Sequence, residues 1–322
     1  MTDREAARAN LLQKAGWLDA TARPLAGDAS ARSYQRLQLG DKTAVLMDAP
    51  PPGEDVHPFV TMANWLRDQG LSAPELFAVD EDAGFVLLED LGDALYGREM
   101  AAGTDEGQLY DAAVDVLAHW QQKSLPDFPP YDDDFLLLEV SYYIDWYVKQ
   151  HLGRSVTDGQ LSEFLDLWRG LLPDMNVGQD VLVLRDYHAD NLLWLPEREG
   201  LQRVGLLDFQ GALIGSVAYD LVSLARDVRR DVPEDIVERM INHYLQVTPF
   251  ENLDEDSFRT AFAVAGAQRN TKILGLFVRL TVRDGKPQYL DYLPRLTGLL
   301  KKDLDHPRLA EVQAMMTSLE RG

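Results

Sequence analysis

Asp186, Asn191 and Asp208 are the side chains whose types and spacing could do chemistry. All three fall within residues 181–212, which read VLVLRDYHADNLLWLPEREGLQRVGLLDFQGA. Phosphoryl transfer needs a carboxylate to orient and deprotonate the attacking hydroxyl. It also needs hard oxygen ligands, here an amide and a second carboxylate, for the magnesium that neutralises nucleotide phosphates. The spacing D-x-x-x-x-N, then a strand pair, then D-F is that of a kinase catalytic loop and its metal-binding Asp. Leu184, Arg185 and Asp186 stand where His-Arg-Asp is usual, and Asp208, Phe209 and Gln210 where Asp-Phe-Gly is usual. Asp186 is therefore the candidate base, and Asn191 and Asp208 the candidate metal ligands. His188, inside the loop, is a candidate substrate contact, with a loop-bracing hydrogen-bond donor as its structural alternative.

The elements that must position these groups are legible in the apolar pattern. Residues 181–184 form a short buried strand and 185–190 the loop. Residues 191–195 and 204–209 form a hairpin across 196–200, where Pro, charge and Gly supply the break. Upstream, 3–17 has helical periodicity closed by Gly16. Residues 25–39 fit a phosphate-covering hairpin whose small tip residues, Gly27, Ala29, Ser30 and Ala31, would let backbone N–H groups approach a nucleotide, although no G-x-G-x-x-G is present. In the next strand, 43–47, Met47 occupies the place where kinases usually carry a phosphate-binding lysine, and Lys42 comes too early. Arg32 and Arg36 are the candidates to replace it. A helix is expected over 57–69, with Glu54 ahead of it as a helix N-terminal charge or cation partner. Strands at 76–79 and 84–88 end in Glu89-Asp90-Leu91-Gly92, read as a hinge where backbone groups of Glu89 and Leu91 bond adenine. The expected architecture is α+β and two-lobed, with a small sheet-containing lobe over 1–91. Residues 92–322 form the mostly helical lobe, with helices near 107–123, 135–153, 161–172, 219–227, 233–247 and 257–280.

The chain resembles the aminoglycoside phosphotransferase family, small-molecule kinases of protein-kinase-like fold. Within it, VLMDAPPP (45–52), DWYVKQHLG (145–153), the 185–191 loop, 207–210, and 268–290 with RDGKPQYL resemble the anomeric sugar kinases of cell-wall recycling. That resemblance implies ATP- and Mg2+-dependent phosphorylation of the anomeric hydroxyl of N-acetylmuramate or N-acetylglucosamine. It also implies that Asp220 braces the catalytic loop. The alternatives are an aminoglycoside, choline or other amino-alcohol phosphotransferase, or a pseudokinase without the strand lysine.

Composition narrows the partners. The net charge is −22, from 31 basic and 53 acidic residues, which argues against nucleic acid or an anionic membrane as the principal partner. There is no cysteine, so disulfides and thiolate metal sites are excluded. The N-terminus lacks an apolar signal region and no apolar run reaches bilayer length, so a cytoplasmic location is expected. Against this acidic background one segment is basic. At about 100° per helical residue, Arg269, Lys272, Arg279 and Arg283 fall within roughly an 80° arc. Either the protein's own acids answer this stripe, or it grips an anionic group such as the lactyl carboxylate of N-acetylmuramate.

Overall fold

The computed structural model describes residues 3–25, 32–248, 250 and 253–321, and its architecture is α+β, a small antiparallel sheet with a mostly helical remainder. The strands among the described residues are β1 (Thr21–Pro24), β2 (Ser33–Leu39), β3 (Lys42–Asp48), β4 (Leu76–Asp80), β5 (Phe85–Glu89), β6 (Val181–Val183), β7 (Leu192–Trp194), β8 (Val204–Leu206) and β9 (Leu213–Gly215). The chain divides into two compact units, Met1–Ala112 with Ala189–Gly211, and Ala113–His188 with Ala212–Gly322.

In the first unit, β1 to β5 form one antiparallel sheet in the order β1-β2-β3-β5-β4. Strand β5, between β3 and β4, reads FVLLE, a continuous apolar run, because both of its faces are covered. Phe85 and Leu87 join Leu37, Ala44 and Leu46 of neighbouring strands and Leu11, Leu12 and Trp17 of the N-terminal segment in one core cluster. Val86 and Leu88, on the opposite face, are also buried. Edge strand β1 is exposed throughout, and Pro24 is tolerated there because an edge position can do without the missing N–H. Met47 is fully buried in β3, whose one cation is Lys42 at its exposed start. The usual place of the phosphate-binding lysine is thus a core position. Strands β7 and β8 pair in register from Leu192↔Leu206 to Trp194↔Val204, as the hairpin pattern predicts.

In the second unit, β6 pairs with β9, and helices make up the rest. The organising element is the helix Glu255–Val282, in which every residue from Ala261 to Thr271 is buried. A helix without a polar face packs on all sides. Two glycines permit this closeness. A Cβ on Gly275 would lie 2.2 Å from the backbone carbonyl of Tyr142, where the helix Asp133–Tyr142 passes into the π-helix Tyr143–His151. A Cβ on Gly266 would lie 2.7 Å from the carboxylate of Asp303, which is buried against this helix and accepts from Arg226 Nε at 3.0 Å and Asn270 Nδ2 at 2.8 Å.

Candidate active site

The first unit carries Asn191 and Asp208. Asn191 closes the short 3-10 turn Ala189–Asn191, and its carbonyl accepts from Leu207 N at 3.0 Å, which extends the β7–β8 ladder. Its Nδ2 lies 3.5 Å from Asp208 Oδ2, so the hairpin brings amide and carboxylate side by side. Asp208 adopts φ 55°, a left-handed conformation that costs a non-glycine residue roughly 1–3 kcal/mol. The next side chain holds it there, since Phe209 is fully buried and stacks on Phe59 at 5.0 Å. Gln210, where glycine is usual, donates Nε2 to Asp208 Oδ1 at 2.5 Å. One carboxylate and one amide oxygen fit a hard cation that keeps waters and phosphate oxygens in its remaining positions. Turning the Asn191 amide over would present Oδ1 for that purpose.

The nucleotide candidates fare differently. Ser30, with Gly27, Ala29 and Ala31, lies outside the described residues. Arg32 donates Nε to Glu54 at 2.8 Å, and both side chains are largely buried, so Glu54 orders a cation ahead of the helix His57–Asp68. Arg36 is corrected from its expected place at the phosphates. It is buried and donates to Asp90 at 2.8 Å and Asp93 at 2.6 Å, tying β2 to the segment that follows β5. Asp93 is held below the usual carboxylate range by its hydrogen bond to Arg36, against a smaller opposing effect of burial. The Glu89 carboxylate pairs with Arg198 at 2.6 Å, and its N–H donates to Glu75 at 2.8 Å, so an adenine bond from Glu89 would fall to its carbonyl. Leu91 packs with Leu193 and Leu195.

The second unit carries Asp186, exposed on its loop, and the machinery that shapes that loop. Leu184 N and Arg185 N donate to the two oxygens of Asp220 at 2.6 and 2.8 Å, the bracing arrangement that the family resemblance implies. Burial pushes the Asp220 carboxyl up to about 7, even though those two N–H bonds favour its charged form. Arg185 has φ 72°. It and Asp208 are the only non-glycine residues among those described in the left-handed region. His188 is buried and lies 3.0 Å from Arg229 Nη1 through Nε2. Burial, with Arg229 and Arg269 nearby, holds the imidazole far below its usual pKa, so it is neutral. Because Arg229 can only donate, His188 Nε2 accepts and the ring proton sits on Nδ1. His188 therefore braces by accepting from Arg229, where the sequence reading expects a donor.

The basic stripe does not act as one face. Lys272 pairs with buried Glu139 at 2.8 Å. The Arg279 guanidinium sits 4.7 Å above the Tyr142 ring, and Arg283, more than half exposed, is paired with Asp284. Arg269 differs from the other three. It is 4% exposed, no carboxylate lies within ion-pair distance among the described residues, and its buried Nη1 finds no acceptor. Glu139 is a functional candidate that the sequence pattern did not single out, although an acid inside the apolar run FLLLEV was a signal.

Residues 21–256 match the phosphotransferase enzyme family. The chain is 38% identical to the N-acetylmuramate/N-acetylglucosamine kinase of Caulobacter vibrioides, covering 97% of this chain and 96% of that one. It is 35% identical to the protein of the same name from Pseudomonas aeruginosa, covering 93% and 88%. Solved structures share the fold at low identity. A putative aminoglycoside phosphotransferase from Ralstonia eutropha matches at TM-score 0.67 and 16% identity, over 94% of this chain and 97% of that one. The choline kinase of Streptococcus pneumoniae matches at TM-score 0.64 and 14% identity, over 94% and 100%. The fold is protein-kinase-like, and the chain belongs to the phosphotransferase enzyme family.

Proposed function

We propose that the chain is an ATP- and magnesium-dependent kinase that phosphorylates the anomeric hydroxyl of N-acetylmuramate or N-acetylglucosamine. The observation that carries this reading is near-full-length similarity, at 33–38% identity, to several relatives that bear that name. Asp186 takes the proton from the sugar hydroxyl as its oxygen attacks the γ-phosphorus and the ADP oxygen departs. Asn191 and Asp208 hold magnesium, which when bound neutralises charge on the phosphates. With Met47 in the core, the cation at the phosphates is Arg32, ordered by Glu54 as the strand lysine of other kinases is ordered by its helix glutamate. Backbone groups of Glu89 and Leu91 meet adenine.

Arg269 gives this reading a substrate preference. Arg269 meets the Asp220 carboxylate only through space, and its buried Nη1 keeps an unmet hydrogen bond that a bound anion would answer. The lactyl carboxylate of N-acetylmuramate is such an anion, and a bidentate Arg contact is the strong form of that pairing. A panel of ATP-consumption assays with both amino sugars, choline and an aminoglycoside tests the proposal, with the phosphorylated position read by phosphorus NMR. Sugar 1-phosphate formation is the expected result. Transfer to choline or the aminoglycoside, with none to either sugar, would overturn it.

A further inference from the structure

We propose that Glu139 is a positioning residue for the catalytic base, acting through Arg185; this rests on Asp186 being the base of the sugar kinase. Arg185 is held at both its backbone and the end of its side chain. Its N–H donates to Asp220 at 2.8 Å and its carbonyl accepts from Ser223 Oγ at 3.2 Å. Its guanidinium bonds Glu139 Oε1 at 2.6 Å and lies 5.1 and 5.3 Å from the ring centroids of Tyr131 and Phe135. The backbone so gripped is in the left-handed region, at φ 72°, which this side chain would leave if released. Asp186 is the next residue, so a return of Arg185 to ordinary φ would swing the base away from its line of attack.

Glu139 suits the task because it is itself fixed. It is 3% exposed and also takes Lys272 Nζ at 2.8 Å, the Tyr131 hydroxyl, and Gln268 Nε2 at 3.4 Å. Burial opposes its charge, yet Lys272 and Arg185 hold its carboxyl below the usual range. Its helix is locked to Glu255–Val282 by the close approach at Gly275. The grip on Arg185 is therefore referred to two packed helices and not to the loop alone.

Glu139→Gln is the direct test. Misplacement of a reacting group by about 1 Å costs on the order of 10²-fold in rate. The expected result is a kcat lower by roughly 10- to 100-fold, with the KM values for MgATP and sugar within about twofold of the parent. Hydrogen exchange at the Leu184 and Arg185 amides should accelerate at least about tenfold, while the 213–215 amides keep the parent rate. Arg185→Met serves as a second variant. It leaves Glu139 paired with Lys272, so no uncompensated charge remains, and it should show the same kcat–KM split. Leu300→Ala, a core truncation elsewhere in the same unit, should lower the melting temperature without changing kcat of the folded enzyme. A folded Glu139→Gln, or a folded Arg185→Met should the first variant not fold, with parental kcat and parental exchange overturns the proposal. Absence of sugar phosphorylation by the parent would overturn the sugar-kinase reading instead, and the exchange rates would still decide the clamp.

Discussion

Gly275→Ala sets two opposed effects against each other. Alanine is favoured over glycine in a helix interior by about 1 kcal/mol, so propensity alone predicts stabilisation. The added Cβ, however, would lie 2.2 Å from both C and O of Tyr142 and 2.5 Å from Tyr143 N. Those are backbone atoms at the junction of an α- and a π-helix, and no rotamer change can clear them. The two helices must separate by about 1 Å. Overpacking of that kind typically costs about 1–3 kcal/mol and occasionally more. The separation also pulls on the 2.8 Å Lys272–Glu139 pair, which joins the same two helices. We expect the steric effect to win, with a net loss of about 2 kcal/mol or more. At about 2–4 °C per kcal/mol for a unit of this size, the melting temperature should fall by roughly 4–8 °C. Gly298→Ala is the matched control, since its Cβ would meet nothing within 4 Å on an exposed helix face. It should be neutral or stabilising by up to about 1 kcal/mol. Thermal melts followed by circular dichroism read both variants. A Gly275→Ala protein that melts at or above the parent would refute the packing argument.

Three further outcomes follow from the same structure. Arg269→Gln should lower kcat/KM for N-acetylmuramate by ~10- to 150-fold, the worth of a charge-assisted hydrogen bond, and leave N-acetylglucosamine within a fewfold. Equal losses for both sugars would assign Arg269 a purely structural role. Arg32→Ala should raise the ATP KM more than the sugar KM, and an unchanged ATP KM would remove Arg32 from the phosphates. Burial raises the Asp303 carboxyl to about 6, against the pull of Arg226 and Asn270. The folded chain therefore takes up this proton before the unfolded chain does. The contribution is fully present below about pH 4 and is lost as pH rises through about 6. Relative to Asp303→Asn, the parent should gain about 1–1.5 kcal/mol between pH 7.5 and 5 in urea melts. A difference that is flat with pH, or of opposite sign, would contradict the assignment.

What was legible in the sequence followed from how local each feature is. That Asn191 and Asp208 lie side by side could be read because one short hairpin joins them, and its Pro-charge-Gly break is explicit in the chain. Strands β1 and β9 escaped for want of pattern. β1 is four exposed residues ending in proline, and β9 is three residues paired with β6 from 30 residues upstream. Helical periodicity correctly set Arg269, Lys272, Arg279 and Arg283 on one arc, yet it cannot say what faces that arc. At 1.5 Å per residue the four span about 20 Å, from a buried interior to an exposed end. Lys272, Arg279 and Arg283 meet Glu139, Tyr142 and Asp284 in turn, the first two of these partners on another helix, while Arg269 has no such neighbour within ion-pair distance among the described residues. Arg36 was misplaced for the same reason, because Asp90 and Asp93 reach it from more than 50 residues away. Glu139 was flagged only by its place in the apolar run FLLLEV, and its role could not be read until its cations, Arg185 and Lys272, were located.

The central claim is that Asp186 is the base for transfer of phosphate from ATP to an amino-sugar hydroxyl. Its most direct test is sugar-dependent ADP release by the parent and by Asp186→Asn, measured alongside MgATP binding by calorimetry. The parent should turn over N-acetylmuramate or N-acetylglucosamine. In Asp186→Asn the rate should fall by ~10²–10⁴-fold, the usual cost of a positioned general base, while MgATP affinity stays near the parental value. A variant that keeps the parental rate within a few fold, or loses MgATP binding together with turnover, would contradict it.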